Sequence, residues 1–154
     1  MTSKLPKRGL PISVDFDGTL CKPHCYPAIA EVNGRCFEIL HRWQDAGCMI
    51  LLNTMRGGTE LKEAVDWCRQ HGFEFDGVDR NPYQDEWCDP SVKKIYSVYD
   101  VDDRNLGCPL SFENDPRGHV DWEVIDKHFT DHIVRMAAPY KARQPKDQDE
   151  TETG

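Results

Sequence analysis

No apolar run in this sequence approaches the roughly 20 residues that a membrane span needs, and the basic start Met1 to Leu10 has no apolar stretch of signal-peptide type. A membrane protein or a secreted precursor is therefore not expected, and a cytoplasmic location is the default. Positive charge is also in short supply, the net charge being −8. Surfaces that hold nucleic acid or anionic lipid need clustered Lys and Arg, so the balance disfavours both partners. Cysteine is present but poorly arranged for crosslinking: seven residues, at positions 21, 25, 36, 48, 68, 88 and 108, with no Cys-x-x-Cys pair. An odd, scattered set excludes a disulfide framework and reads as reduced thiols. No internal repeat is visible. What remains is 154 residues with 38% hydrophobic and 30% charged side chains, enough for one domain with a sizeable core.

Apolar periodicity divides that domain into alternating strands and helices. Ile12, Ser13 and Val14 form a short run ending in acidic residues, and Cys48 to Leu52 is continuously apolar, as a strand covered on both faces requires. Between them Cys36, Ile39, Leu40 and Trp43 recur at helical spacing, and Gly47 stands where a left-handed cap ends the helix. Leu61, Ala64, Val65 and Cys68 make a second apolar stripe, with Thr59 as its expected N-cap and Gly72 as its stop. Phe73 to Phe75 is expected as a short strand, Val98 to Val101 as a better one, and Asp121 as the cap of a last helix burying Trp122, Ile125, Phe129 and Ile133. The alternation predicts an α/β fold, a three-layer Rossmann-like parallel sheet with flanking helices. Residues 1–138 make the domain. Residues 139–154, polar and without apolar period, are expected to be a disordered tail.

Ligands of an open parallel sheet bind beyond the carboxyl ends of its strands. Three polar groups fall there: Asp15 and Asp17 after the first strand, Thr54 after Cys48 to Asn53, and Asp102 with Asp103 after Val98 to Val101. Strands about 4.8 Å apart bring such residues around one ion.

The run Val14-Asp15-Phe16-Asp17-Gly18-Thr19 resembles the first motif of the haloacid dehalogenase superfamily. Leu52-Asn53-Thr54 is similar to its second motif, Lys93-Lys94 stand where the third motif's lysine belongs, and Asp102-Asp103-Arg104-Asn105 resembles the fourth. The likeness spans roughly residues 12 to 130 and is strongest to a small capless branch with an Asp-Asp-Arg-Asn segment and a later Asp-Trp, here Asp121-Trp122.

That resemblance implies a Mg²⁺-dependent phosphatase. Asp15 would attack phosphorus to give an aspartyl phosphate, and Asp17 would protonate the leaving oxygen and later deprotonate water. Thr54 and Lys94 would hold the phosphoryl group, Lys94 being preferred to Lys93 on its alignment with the capless branch. Asp15, the Asp17 carbonyl and Asp102 would ligate Mg²⁺, with Asp103 orienting Lys94 or a metal-bound water. The second aspartate, Asp17, favours phosphate esters over carbon–halogen bonds. The intervals from Asp15 to Thr54 and from Thr54 to Lys94 are each filled by a helix and short connections, so no large cap domain is expected. The substrate is a phosphorylated molecule of either small or macromolecular size, and a homo-oligomer that screens the open edge fits equally.

Other residues carry weaker signals. Arg56-Gly57-Gly58 reads either as a flexible anion-facing turn or as a plain helix entry. Cys21, His24 and Cys25 lie close together without an obvious fourth zinc ligand, which leaves a mobile loop as the simpler reading. Asp100, in mid-strand, is expected to be paired structurally. Trp43, Trp67 and Trp122 read as packing residues, whereas Trp87 in its loop is a candidate substrate contact, and Gly107 to Val120 a candidate selectivity segment. Two other functions are compatible with the same carboxylates: a catalytically silent metal- or phosphate-binding module, and a metal nuclease built on Asp15, Asp17 and Asp102, the latter disfavoured by the acidic charge.

Overall fold

A computed structural model of the chain describes residues 8–144. In chain order its elements are β1 (Leu10–Val14), the short strands β2 (Cys21–Lys22) and β3 (Glu31–Val32), α1 (Cys36–Ala46), β4 (Cys48–Leu52), α2 (Gly58–Gln70) and β5 (Gly77–Val78). A single 3₁₀ turn (Gln84–Glu86) precedes β6 (Tyr99–Val101), β7 (Leu110–Ser111), β8 (His119–Val120) and α3 (Trp122–Arg143). The main sheet is parallel, in the order β5-β4-β1-β6, while β2 pairs antiparallel with β3 and β7 with β8. The fold is therefore α/β with a four-stranded parallel sheet.

The central strands β1 and β4 are buried along their whole length, which is why their sequences are almost continuously apolar. Helix α1 buries Cys36, Phe37, Ile39, Leu40 and Trp43 and ends at Gly47, whose φ of 113° lies in the left-handed region. A side chain at Gly47 would also meet the Ala137 carbonyl oxygen, so the position needs glycine twice over. At the start of α3 the Asp121 side chain accepts a hydrogen bond from the Val124 N–H, as its sequence position implies.

The three helices all bury their apolar stripes in one cluster with Leu10, Ile12, Val14, Cys48, Ile50 and Leu52, the residues of one sheet face. Helices flanking both faces were the sequence expectation. No α-helix among the described residues covers the opposite face, which carries Ser13, Met49 and Leu51. The irregular stretch 79–97 occupies that side, held together by the buried amide of Gln84, which donates to the Lys94 carbonyl and accepts from the Tyr96 N–H.

Three local expectations also change. Phe73 to Phe75 form no strand; the Phe73 ring stacks on Phe37 and meets His41 and Phe75 edge-on, and the next strand begins at Gly77. Helix α2 starts at Gly58 with Gly57 as its N-cap residue and no side-chain cap, one turn position before Thr59 takes effect. The boundary at residue 138 is not a chain break, because α3 continues through Pro139 to Arg143. Pro139 lies on the exposed face of α3, as does Arg135, whose carbonyl it leaves without a helical donor, and Lys141 and Gln144 fasten this end to the Asp45 and Arg8 carbonyls. Residues 145–154 of the expected tail lie outside the described residues. Among the described residues no helix is long and apolar enough to cross a membrane.

Helices α1 and α3 are joined by a buried polar link as well as by apolar packing. The Trp43 indole N–H donates to Thr130 Oγ1 at 3.0 Å, and that hydroxyl donates to Asp126 at 2.7 Å. A Thr130→Val exchange keeps the shape but strands a fully buried N–H, so urea unfolding should show a loss of about 1–3 kcal/mol. Thr130→Ser should retain most of the difference.

Candidate active site

Sheet register brings the predicted strand ends together. Val14 is paired with Leu52 on one side and with Val101 on the other. The next residue of each strand continues the ladder: the Asp15 N–H donates to the Val101 carbonyl at 2.9 Å, and the Asn53 N–H to the Val14 carbonyl at 2.8 Å. Asp15 thus lies level with Asn53 and Asp102, and the loops after β1, β4 and β6 open onto one edge.

At that edge Asp15, Asp102 and Asp103 each bring a carboxylate oxygen within 4.8 Å of the others. Burial, followed by the charge of Asp102, pushes the Asp15 carboxyl up to about 8, and burial also raises Asp102. The Thr19 hydroxyl donates to Asp15 at 3.2 Å and accepts from the Asp103 N–H at 3.4 Å. Asp103 is taken on one side only: its Oδ2 lies 2.7 Å from His24 Nε2, while its Oδ1 is buried without a hydrogen-bond partner. Three crowded oxygen donors with one buried acceptor left over fit a hard divalent cation such as Mg²⁺. Asp15 and Asp102 of the expected cation set meet here and Asp103 joins them as a third carboxylate, while Asp17, expected to contribute its main-chain carbonyl, turns its side chain elsewhere.

Asp17 is clamped by Arg56. The guanidinium donates through Nε and Nη2 to both oxygens of Asp17, at 2.8 and 2.7 Å, and to the Pro27 and Ala28 carbonyls at 2.9 and 3.1 Å. Its side chain is 1% exposed and lies between the rings of Phe16 and Tyr26. The fork on Asp17 raises the Arg56 pKa further. Arg56 is thus neither a plain helix entry nor a free anion-facing turn: it ties the loop between β2 and β3 to the aspartate. Its own N–H donates to Thr54 Oγ1 at 3.1 Å, and the Thr54 N–H donates to Asp79, which fixes the threonine beside the carboxylates.

Gly18 makes the turn possible. Its φ is +74°, and a Cβ there would stand 2.0 Å from His24 Nε2 and 2.7 Å from Asp103 Oδ2. Gly18→Ala is expected to displace His24 from Asp103 and to cost about 1–3 kcal/mol in denaturant unfolding, backbone strain included.

The lysines are placed differently. Lys93 and Lys94 are exposed and line a neighbouring cavity of about 330 Å³ with Asn53, Thr54, Asp79 and Asp100. The carboxylate cleft, about 540 Å³, contains Asp15, Asp17, His24, Thr54, Arg56 and Asp102 but neither lysine. Thr54 stands at the junction of the two. Asp100 accepts from the Ser13 hydroxyl at 2.5 Å and from Ser97, so its charge is held within the sheet. Cys21, His24 and Cys25 do not gather into a metal-binding group among the described residues: His24 contacts Asp103, the Cys25 thiol donates to the Ala28 carbonyl, and the buried Cys21 thiol is pushed up to about 12 by burial. Trp87 is exposed and packs edge-on against Tyr96, and it does not line the carboxylate cleft.

His24, Arg104 and Arg117 also line the cleft; the sequence marks His24 only as a weak zinc candidate and Arg117 only as part of the Gly107 to Val120 selectivity segment. Arg104 sat in the quoted Asp-Asp-Arg-Asn run, one residue beyond the carboxylates, which was the available signal. His24 and Arg117 come from loops whose return to the cleft depends on tertiary pairing.

An α/β protein with a cation-competent carboxylate cluster at the carboxyl edge of its parallel sheet is the class that these features define. No family model matches the chain, and no curated protein matches it. Among solved structures it is similar to the conserved protein coded by a locus of Bacteroides thetaiotaomicron, at 31% identity and a TM-score of 0.64, over 79% of this chain and 90% of that one. The chain belongs to the family of that Bacteroides protein.

Proposed function

We propose that the chain is a member of the haloacid dehalogenase superfamily and a Mg²⁺-dependent phosphatase acting on phosphate monoesters in the cytoplasm. The observation that carries this reading is the meeting of Asp15 with Asp102 and Asp103 around an unpartnered buried oxygen, with Thr54 alongside. Asp15, Asp102 and Asp103 would hold Mg²⁺, which when bound neutralises carboxylate and phosphate charge. An Asp15 oxygen attacks phosphorus, the ester P–O bond breaks, and the leaving oxygen takes a proton. Water then attacks phosphorus of the aspartyl phosphate, releasing inorganic phosphate and the Asp15 carboxylate. Thr54 orients the phosphoryl oxygens through its hydroxyl.

Asp17 is the acid–base residue of this scheme, and both of its oxygens accept from Arg56. Proton transfer to the leaving oxygen therefore belongs to a state in which the fork has opened. The same clamp favours one rival reading, a metal- or phosphate-binding module without turnover. Phosphate release from a broad ester panel, with Mg²⁺ and with EDTA, separates the two. Metal-dependent release from at least one ester is expected; no release from any ester in Mg²⁺, together with retained Mg²⁺ binding, establishes the silent module.

A further inference from the structure

We infer that Arg104 and Arg117 form a clamp for a second anionic group, so that the substrate is a metabolite-sized phosphate ester whose leaving group carries a carboxylate or another phosphate. The inference rests on the phosphate-ester reading above. Both arginines are exposed at the rim of the cleft whose other residues include Asp15, Asp17 and Asp102. A cleft of about 540 Å³ falls in the range of small-ligand sites, and a phosphoryl group alone fills little of it.

Charge pairing and position together mark these two side chains out: of the four arginines without a salt bridge among the described residues, Arg104, Arg117, Arg135 and Arg143, the first two line the cleft and the last two lie on α3 away from it. The chain carries a net charge of −8, and Arg8, Arg35, Arg42, Arg56, Arg69 and Arg80 each pair with a carboxylate. Neither Arg104 nor Arg117 forms a salt bridge among the described residues; the Arg104 guanidinium donates to the Met55 sulfur at 3.9 Å, and its charge acts on Asp102 from beyond salt-bridge distance. Two guanidiniums facing a cleft in an acidic protein, with their forks free, suit a planar anion.

Both are anchored through the backbone and not through their side chains. The Arg104 N–H donates to Asp102 Oδ1 at 2.8 Å, so its position is set by one of the clustered carboxylates. The Arg117 N–H donates to Asp115 at 3.1 Å, and β8, two residues later, is tied to the first loop by the Val120 N–H to Gly18 carbonyl bond at 2.9 Å. The segment from Gly107 to Val120 thereby delivers a cation to the cleft. Tyr26 and Met55, both exposed at its walls, offer apolar surface for the carbon skeleton between the two anions. Arg56 has no free fork for this role, four of its five N–H groups being spent on Asp17 and on two carbonyls.

The test uses phosphorylated hydroxy acids of increasing chain length, beginning with phospholactate, each beside its own methyl ester, which removes the second charge and keeps the skeleton. With the full chain and Mg²⁺, the free acid of the best-fitting length is expected to exceed its ester in kcat/KM by about ten- to a hundredfold, the range of a charge-assisted bond. Arg104→Gln and Arg117→Gln should each lower that ratio by about tenfold or more. A ratio near one in the wild type at every length overturns the inference, as does a ratio that neither substitution moves. Calorimetric titration of Asp15→Asn with the same pairs reads binding without turnover. Preference for the acids in calorimetry, with no ester hydrolysed by the wild type, sustains the anion clamp and removes the phosphatase reading. Equal binding of acid and ester removes the clamp whatever the turnover.

Discussion

Asp15→Asn is expected to lower ester hydrolysis by at least about 10³-fold while leaving the fold no less stable, and the two effects have one electrostatic origin. The amide keeps the shape of the carboxyl and its contact with the Thr19 hydroxyl, but it cannot form an acyl phosphate. It also takes a charge out of a half-buried cluster where burial and Asp102 already push the Asp15 carboxyl up to about 8. The sign follows from linkage: a carboxyl whose pKa is higher in the folded than in the unfolded chain stabilises the fold fully below its unfolded value of about 3.9, and that contribution disappears as pH rises through about 8. In EDTA, wild-type stability from urea unfolding should therefore fall across that window, and Asp15→Asn should fall less. Added Mg²⁺ should reverse the order, because the variant loses a ligand. Wild-type rates in the variant would remove Asp15 as nucleophile, and wild-type stability rising with pH through the window would remove the crowded cluster as its cause.

How much of this was legible in the sequence depends on what fixes each residue. Asp15 and Asp102 follow directly after strands and Thr54 one residue later, and a parallel register places the ends of such strands at one edge; that much needs only the position of the strands. The clamp on the Asp17 side chain was not legible, because it is made by Arg56, a residue 39 positions away in chain order that claims both of its oxygens, and the entry of Asp103 into the carboxylate cluster depends on the loop after β6. Lys94 was placed by resemblance to a motif and stands in the adjoining cavity, where the irregular segment 79–97 determines its position. That segment has no apolar period to read; its buried anchor is a glutamine, Gln84. The helix that continues through Pro139 was misread for a related reason, since the usual cost of proline falls where the freed carbonyl is buried, and here the site faces solvent.

Arg56→Ala is expected to be the most destabilising single exchange in the cleft, by about 3–5 kcal/mol in denaturant unfolding. It leaves the Asp17 carboxylate, the Pro27 carbonyl and the Ala28 carbonyl without their shared donor and opens a void between Phe16 and Tyr26. Asp17→Asn keeps an acceptor for the guanidinium and leaves its two carbonyl bonds and ring contacts in place, so a smaller loss of about 1–2 kcal/mol is expected. Because the two side chains meet directly, the double exchange Arg56→Ala with Asp17→Asn should cost less than the two single losses added together, and the shortfall measures the fork. Arg56→Lys is the discriminating variant: it retains the charge but has one ammonium in place of a planar fork, and it should recover only part of the loss. The Arg56 N–H that meets Thr54 survives both exchanges, so a changed kcat in the alanine and lysine variants would report the fork on Asp17, whereas a structural clamp unconnected with catalysis would leave kcat of the lysine variant at the wild-type value. Additivity of the double exchange would show that Arg56 holds the loop between β2 and β3 through the carbonyls alone.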